Sequence, residues 1–250
     1  MSNLKYLDFF KNRSSVRRFT DEPVSEQTLD TLLEAAAQAP TTGNMQLYSV
    51  VVTREPKRLK QLVDLHLGQP AAAGANVILT FCGDVARFER WCKDNNAQST
   101  FRNLHGSLLG VIDATIFAQQ FVTLAEMNGI GCCYLGTVTY NLDEFCDFLG
   151  TPDGVMPLFS VALGYPAPDG IAPVSDRLPK DAYIHRERFS DYDSKSIAKY
   201  YAEKEKLPES KKFIKENSKQ TLAQVYSEVR YPSAQNEQIS GVLKHRLKLD

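Results

Sequence analysis

The chain has 250 residues, 43% hydrophobic and 24% charged, a composition that excludes disordered, collagen-like and mucin-like proteins and is sufficient for a core without disulfide or metal staples. Lys+Arg number 29 against 30 Asp+Glu, so the net charge of −1 argues against a general affinity for nucleic acid or anionic membrane. The balance conceals an asymmetry: residues 195–250 hold 12 basic and 7 acidic side chains, giving +5 there and −6 elsewhere.

At the N-terminus, Leu4, Leu7 and Phe10 recur at helical spacing, and no apolar segment with a small-residue cleavage site is present, which argues against a signal peptide. Ser25 is placed to cap a second helix, with Leu29, Leu32, Leu33 and Ala36 on one face and an end at Pro40. After a turn-rich TTGN, the run Tyr48–Thr53 reads as a strand. Pro56 opens a helix through Leu59, Leu62, Val63 and Leu67, and 76–82 is a second buried strand.

Residues 104–127 predict one long helix, apolar on most of its circumference, which must be covered on all sides by the centre of a fold or by a subunit interface. Asp113, Gln119, Gln120 and Glu126 interrupt it at depths costly in lipid, so it reads as a core helix of a cytoplasmic protein rather than a membrane span. GCCYLG follows as a strand, 141–149 as a short helix capped by Asn141, and 156–165 as the last strong strand. Beyond Ser190 the chain is polar with helical propensity. The organisation predicted is a domain over 1–190 and a helical extension over 191–250 packed on it. With no βαβ repeat carrying GxGxxG, a dinucleotide-binding Rossmann domain is not supported.

Four short segments contain chemistry. Arg13-Ser14-Ser15-Val16-Arg17-Arg18-Phe19 reads either as an anion cradle, since guanidinium and hydroxyl groups suit phosphate, or as a solvated basic loop tied to Asp21 and Glu22. Pro40-Thr41-Thr42-Gly43-Asn44-Met45-Gln46 is either a plain turn or a place where a planar ligand meets backbone. Tyr134-Leu135-Gly136-Thr137 ends a strand at a glycine, as a bulge or as an exposed N–H. Asp176-Arg177-Leu178-Pro179 holds an arginine in a Pro-flanked loop. Cysteines 82, 92, 132, 133 and 146 form no CxxC or zinc-like pattern, and Cys132 and Cys133 read as inert core thiols of a reduced compartment. None of His66, His105, His185 and His245 pairs with a nucleophile or shows metal-ligand spacing, so neither a hydrolase nor a metalloenzyme is expected.

The order of these segments resembles the flavin-dependent nitroreductase family, in particular its NADPH-dependent oxygen-insensitive nitroreductases and flavin reductases with a C-terminal extension. The similarity runs over about 4–201, through RSSVRRFTDEPVSEQTLDTLLEAAAQAPTTGNMQ, GVIDATIFAQQFVTLAEMNGIGCCYLG, MPLFSVALGYPA and DRLP. The resemblance implies an α+β three-layer sandwich, with a mixed, mainly antiparallel sheet flanked by helices, and an intertwined homodimer with FMN at its interface. It further implies that Arg13, Ser14, Ser15 and Arg177 hold the FMN phosphate and that Arg17 lies near the pyrimidine edge. Gln69 would meet the ring, Thr41 and Thr42 would reach the partner's flavin, and Tyr134, Leu135, Gly136 and Thr137 would line N5. NADPH or NADH would donate hydride and a small-molecule oxidant would accept it, in ping-pong fashion and with no dedicated protein acid or base.

The chain departs from the family pattern at three places. Ser175-Asp176 replaces Lys-Pro before Arg177, Thr137 and Thr139 replace Gly and Arg, and the arginine-rich stretch for the 2′-phosphate of NADPH is replaced at best by Lys204, Lys206, Lys211 and Lys212. The alternative implied by the altered phosphate loop is a flavin-binding protein that stores or senses flavin without turnover.

Overall fold

The computed structural model describes residues 5–247; Leu4 of the first predicted helix lies outside them, as do Lys248 and Asp250 of the basic tail. The chain separates into two compact units, 1–173 with 241–250, and 174–240. That division falls before the expected boundary at 190, inside a stretch with little regular structure.

In the first unit the elements are α1 (Leu7–Asn12), α2 (Glu26–Ala36), β1 (Tyr48–Thr53), α3 (Pro56–Leu65), α4 (Pro70–Ala73), β2 (Val77–Asp84), α5 (Ala86–Asp94), α6 (Leu104–Met127), β3 (Gly131–Leu135), α7 (Leu142–Leu149) and β4 (Val155–Gly164). The sheet order is β1-β2-β4-β3, and all three pairings are antiparallel. The expected mixed sheet therefore has no parallel pair among the described residues. Side chains alternate faces along each strand, which divides the core in two. Val77, Leu79 and Phe81 of β2, with Val161 and Leu163 of β4, pack against α2 and α6. Ile78, Ala162, Cys133 and Leu135 face the layer of α3, α4 and α7. The result is the α+β three-layer sandwich, with β2 buried along its whole length.

Helix α6 follows its predicted bounds and starts at an Asn103 cap whose side chain accepts from Gly106 N at 2.9 Å. Its close seat on β2 needs two glycines, because a Cβ at Gly83 would lie 3.2 Å from the Gly110 carbonyl carbon. By length and composition alone α6 is apolar enough to cross a membrane, yet nine of its residues, Asp113 included, are buried inside this unit. Full cover is not what the single chain provides: Leu104, Leu108, Ile112 and Ile116, spaced at i, i+4, are exposed.

Ser25 caps α2 as expected, accepting from Thr28 N at 3.0 Å. Asn141 does not cap α7; its side-chain amide instead donates to the Leu65 carbonyl at 2.8 Å, closing the end of α3. Helix α3 itself stops at Leu65, because Leu67 (φ 57°) and Gly68 (φ 68°) turn left-handed.

The second unit holds α8 (Ser194–Lys206), α9 (Pro208–Glu216), the short α10 (Leu222–Gln224) with a π-turn to Arg230, and the start of α11 (Ser233–Leu247). A reciprocal cap fixes the start of α8, with Asp193 Oδ1 accepting from Ser196 N at 2.7 Å.

Candidate functional site

The basic segment of residues 13–19 runs as an extended edge beside β3. Val16 N donates to Cys132 O at 3.1 Å, Arg17 N to Gly170 O at 2.9 Å and Ala172 N to Ser15 O at 3.0 Å. This approach requires glycine at 131, where a Cβ would sit 2.6 Å from that of Val16. Extended backbone sends neighbours to opposite sides, so the partly exposed Ser15 and the exposed Arg17 flank the buried Val16.

The acids that balance this segment are not Asp21 and Glu22. Arg13 makes a bidentate pair with Glu126, Nε to Oε2 and Nη2 to Oε1, both at 2.9 Å, and Arg18 is paired with Asp169. Glu126 lies in the last turn of α6, where the helix dipole disfavours an anion, so its guanidinium partner has a local purpose. Burial raises the Glu126 pKa, and the hydrogen bond and charge of Arg13 oppose that rise. The Ser14 hydroxyl donates to the Ala172 carbonyl. Arg17 has no side-chain hydrogen bond or ion pair among the described residues, which makes it the least committed of the three arginines. An open cavity of about 420 Å³ adjoins Arg13, Ser14, Glu126, Ile130 and Ile171.

At the far end of β3, Leu135 is buried and Tyr134 exposed, with its ring 5.4 Å from that of Phe159. Burial is the main cause of a raised Tyr134 pKa, so its phenol stays protonated. Gly136 opens a 3₁₀ turn (Gly136–Asn141), and a Cβ placed there would meet nothing within 4 Å, so the backbone is open to a ligand. Thr137 turns its hydroxyl inward, 2.7 Å from His66 Nδ1. His66 is fully buried, edge-on to Phe145 at 4.9 Å, and burial pulls its pKa down to about 4. Gln69, half-buried at the start of α4, donates its backbone N–H to the His66 carbonyl at 3.2 Å. Residues 13–17, 66–69 and 134–137 are thus gathered about β3. Both Arg17 and Arg13 lower the Cys133 pKa against the larger, raising effect of burial. Cys132 and Cys133 are free and buried, as expected of core thiols.

Thr41 and Thr42 are anchored elsewhere, on the middle of α6. Asp113, fully buried, accepts through Oδ1 from Thr42 N and Thr42 Oγ1, both at 2.9 Å, and through Oδ2 from Leu47 N at 3.0 Å. These bonds hold a loop in which Gly43, Asn44 and Gln46 all have φ near +55°. Arg87 adds a second clamp, donating to the Gln46 carbonyl and, at 3.0 Å, to that of Tyr48. The Thr41 hydroxyl is buried and has no partner among the described residues. Sequence reasoning missed Asp113, Arg87, Glu126 and His66 as parts of the site. The signal for Asp113 was present: a lone carboxylate inside an apolar helix needs dedicated donors.

In the second unit, Arg177 donates from Nη1 to the carbonyls of Asp176 (2.8 Å) and Ser175 (3.2 Å), within its own loop. The Asp176 carboxylate is taken by Lys204 at 2.9 Å. Lys206 pairs with Glu203 and Lys212 with Glu216, so three of the four lysines weighed as nicotinamide contacts carry acids.

The fold is an α+β sandwich in which an arginine-bearing segment lies along the start of β3 and an open glycine turn follows its end. The profile described as "Nitroreductase family" matches residues 10–165, and the chain belongs to that family. It is 32% identical over 206 residues to the FMN reductase (NADPH) of Bacillus subtilis strain 168, covering 77% of this chain and 82% of that protein. It is 31% identical to the oxygen-insensitive NADPH nitroreductase of Salmonella typhimurium LT2, over 74% and 75% of the two chains. The solved structure of a candidate oxidoreductase from Bacteroides fragilis NCTC 9343 superposes with a TM-score of 0.92 at 43% identity, over 97% of this chain and 98% of that one.

Proposed function

We propose that this protein is an FMN-dependent NAD(P)H oxidoreductase that reduces nitroaromatics, quinones or free flavin. The observation that carries this reading is the assembly about β3 of Arg13 and Arg17, the Gln69 strap and the open Gly136 turn. The names of the relatives, FMN reductase and NADPH nitroreductase, support it.

The residues present fit a flavin phosphate and ring. Arg17 carries a guanidinium with no partner among the described residues, and Arg13 spends only one edge on Glu126. The open Gly136 backbone leaves room for a ligand to approach the turn. In this reading Arg13 and Ser15 hold the phosphate, joined by Ser14 when its hydroxyl turns from the Ala172 carbonyl, while Gln69, Tyr134, Leu135, Gly136 and Thr137 border the ring; Arg177 keeps its phosphate role on the resemblance alone. When bound, FMN supplies hydride acceptance from NADPH or NADH and hydride delivery to the oxidant. The protein contributes position and electrostatics. Arg17 sets a positive charge where reduction adds negative charge, so Arg17→Ala lowers the reduction potential of the bound flavin, measured by dye equilibration. An unchanged or higher potential removes Arg17 from that role.

A homodimer is part of the proposal, supported by the exposed apolar stripe of Leu104, Leu108, Ile112 and Ile116 on α6. Thr41 and Thr42 then serve the partner's flavin. Functionally, we take 1–190 as the FMN-binding portion and 191–250 as a helical extension. A cytoplasmic location suits five free, buried cysteines.

The test is purification followed by steady-state turnover with NADH and NADPH side by side, against a nitroaromatic, a quinone and free FMN. A yellow protein that oxidises either nucleotide supports the enzyme. Flavin retained with no nucleotide oxidation under any acceptor supports the storage alternative, and a colourless protein that FMN does not reconstitute overturns both.

A further inference from the structure

We propose that His66 is a positioning residue for the flavin site: by bonding Thr137 it ties the Gly136 turn to the His66–Gln69 strap, so that the two ring-bordering segments hold one spacing. The proposal rests on the FMN reading above.

The turn is packed through the buried Leu135 and Val138, but between them it presents no side chain at Gly136. Gly136 faces open space, and the nearest polar tie is the 2.7 Å contact between Thr137 Oγ1 and His66 Nδ1. A second tie, Asn141 Nδ2 to Leu65 O at 2.8 Å, secures the other end of the same turn to the same end of α3. His66 is held on several sides: it is fully buried, edge-on to Phe145, with its N–H on Leu62 O at 2.8 Å and its carbonyl accepting from Gln69 N.

The polarity of the contact argues against simple core filling. Among the described residues His66 Nε2 is buried with no partner, so the ring carries an unmet polar atom while its Nδ1 bonds Thr137. An apolar side chain of similar shape fills the same space without that cost. Because burial holds the imidazole neutral down to about pH 4, the tie adds no charge near the ring and keeps its geometry across physiological pH.

The experiment uses the full-length protein stripped of flavin and titrated with FMN by fluorescence quenching. Variants are Thr137→Val, Thr137→Ser, His66→Phe and the double Thr137→Val/His66→Phe. Thr137→Val and His66→Phe are each expected to weaken FMN binding about tenfold and to shift the visible absorption bands of the bound flavin. The double variant is expected to lose no more than either single one, and Thr137→Ser to stay within about twofold of wild type, because the serine hydroxyl restores the bond. In the flavin-free protein, amide hydrogen exchange at 136–138 is expected to quicken in Thr137→Val and His66→Phe. Should His66→Phe fail to fold, the Thr137 pair carries the test alone.

Unchanged affinity, spectrum and exchange in folded Thr137→Val overturn the proposal, as do multiplied losses in the double variant. Wild-type protein that binds no FMN overturns the functional reading and, with it, the assignment of His66 to a flavin site; the exchange comparison then shows separately whether the tie itself is real.

Discussion

Two loops, 41–47 and 136–141, are held to the core by opposite means. The 41–47 loop is fastened by a charged group, Asp113, whose two carboxylate oxygens take three donors. The 136–141 turn is fastened by a neutral one, His66, which bonds Thr137 and, among the described residues, leaves Nε2 unmet. Buried charge survives only when its lone pairs are filled, and Asp113 meets that condition inside an apolar helix. A neutral imidazole tolerates partial satisfaction at a smaller cost. The first anchor can hold a backbone with three left-handed residues, while the second holds a turn that is open on its outer side.

Removing the charged anchor has the largest expected effect. Asp113→Ala leaves the Thr42 and Leu47 amides without their acceptor and is expected to cost roughly 3–5 kcal/mol, read as a lower urea midpoint. A loss under about 1 kcal/mol breaks the comparison.

The neutral anchor has a pH signature. With an ordinary His pKa of 6.5 in the unfolded chain and about 4 in the folded protein, the unfolded state binds more protons between those values. Stability therefore falls as pH drops from 6.5 toward 4, by up to about 3 kcal/mol from this group. Denaturant midpoints at pH 7 and 4.5 should differ less in His66→Gln than in wild type; equal differences refute the neutral burial of His66.

Smaller effects come from trimming each anchor. Thr42→Val removes one donor to Asp113 and keeps the Thr42 amide, with an expected cost of about 1 kcal/mol. Asn141→Ala removes the second tie of the turn and is expected to cost about 0.5–1 kcal/mol, with faster amide exchange near Leu65. A larger cost for Asn141→Ala than for Thr42→Val would invert the ranking of the two loops.

Periodicity made most of the first unit legible. The bounds of α6 and β1, the Ser25 cap and the buried strands follow from local apolar spacing and one cap side chain, both short-range properties. Helices α4 and α5 are not legible in that way: α4 is too short to show a period, and α5, though amphipathic, is dominated by Arg87, Glu89, Arg90, Lys93 and Asp94. The segments that bear arginines, hydroxyls and the strand-end glycine were visible because composition and order suffice to find them. Their partners were not. Asn141 has the position of a cap for its own helix but serves the end of α3, and the basic loop, for which Asp21 and Glu22 are the acids nearest in sequence, pairs instead through Arg13 with Glu126 and through Arg18 with Asp169.

The sequence by itself determined most of the elements, the family pattern and the segments that carry arginines, hydroxyls and a strand-end glycine, because these depend on neighbours along the chain. The tertiary structure decided which arginine is engaged and which is free, and that Thr137 faces inward to His66. It also decided that a lone aspartate in an apolar helix is the anchor of a loop some seventy residues earlier. Pairings of that kind depend on which groups the sheet order β1-β2-β4-β3 and the seat of α6 bring within 3 Å, and residue spacing in the chain carries no record of that distance.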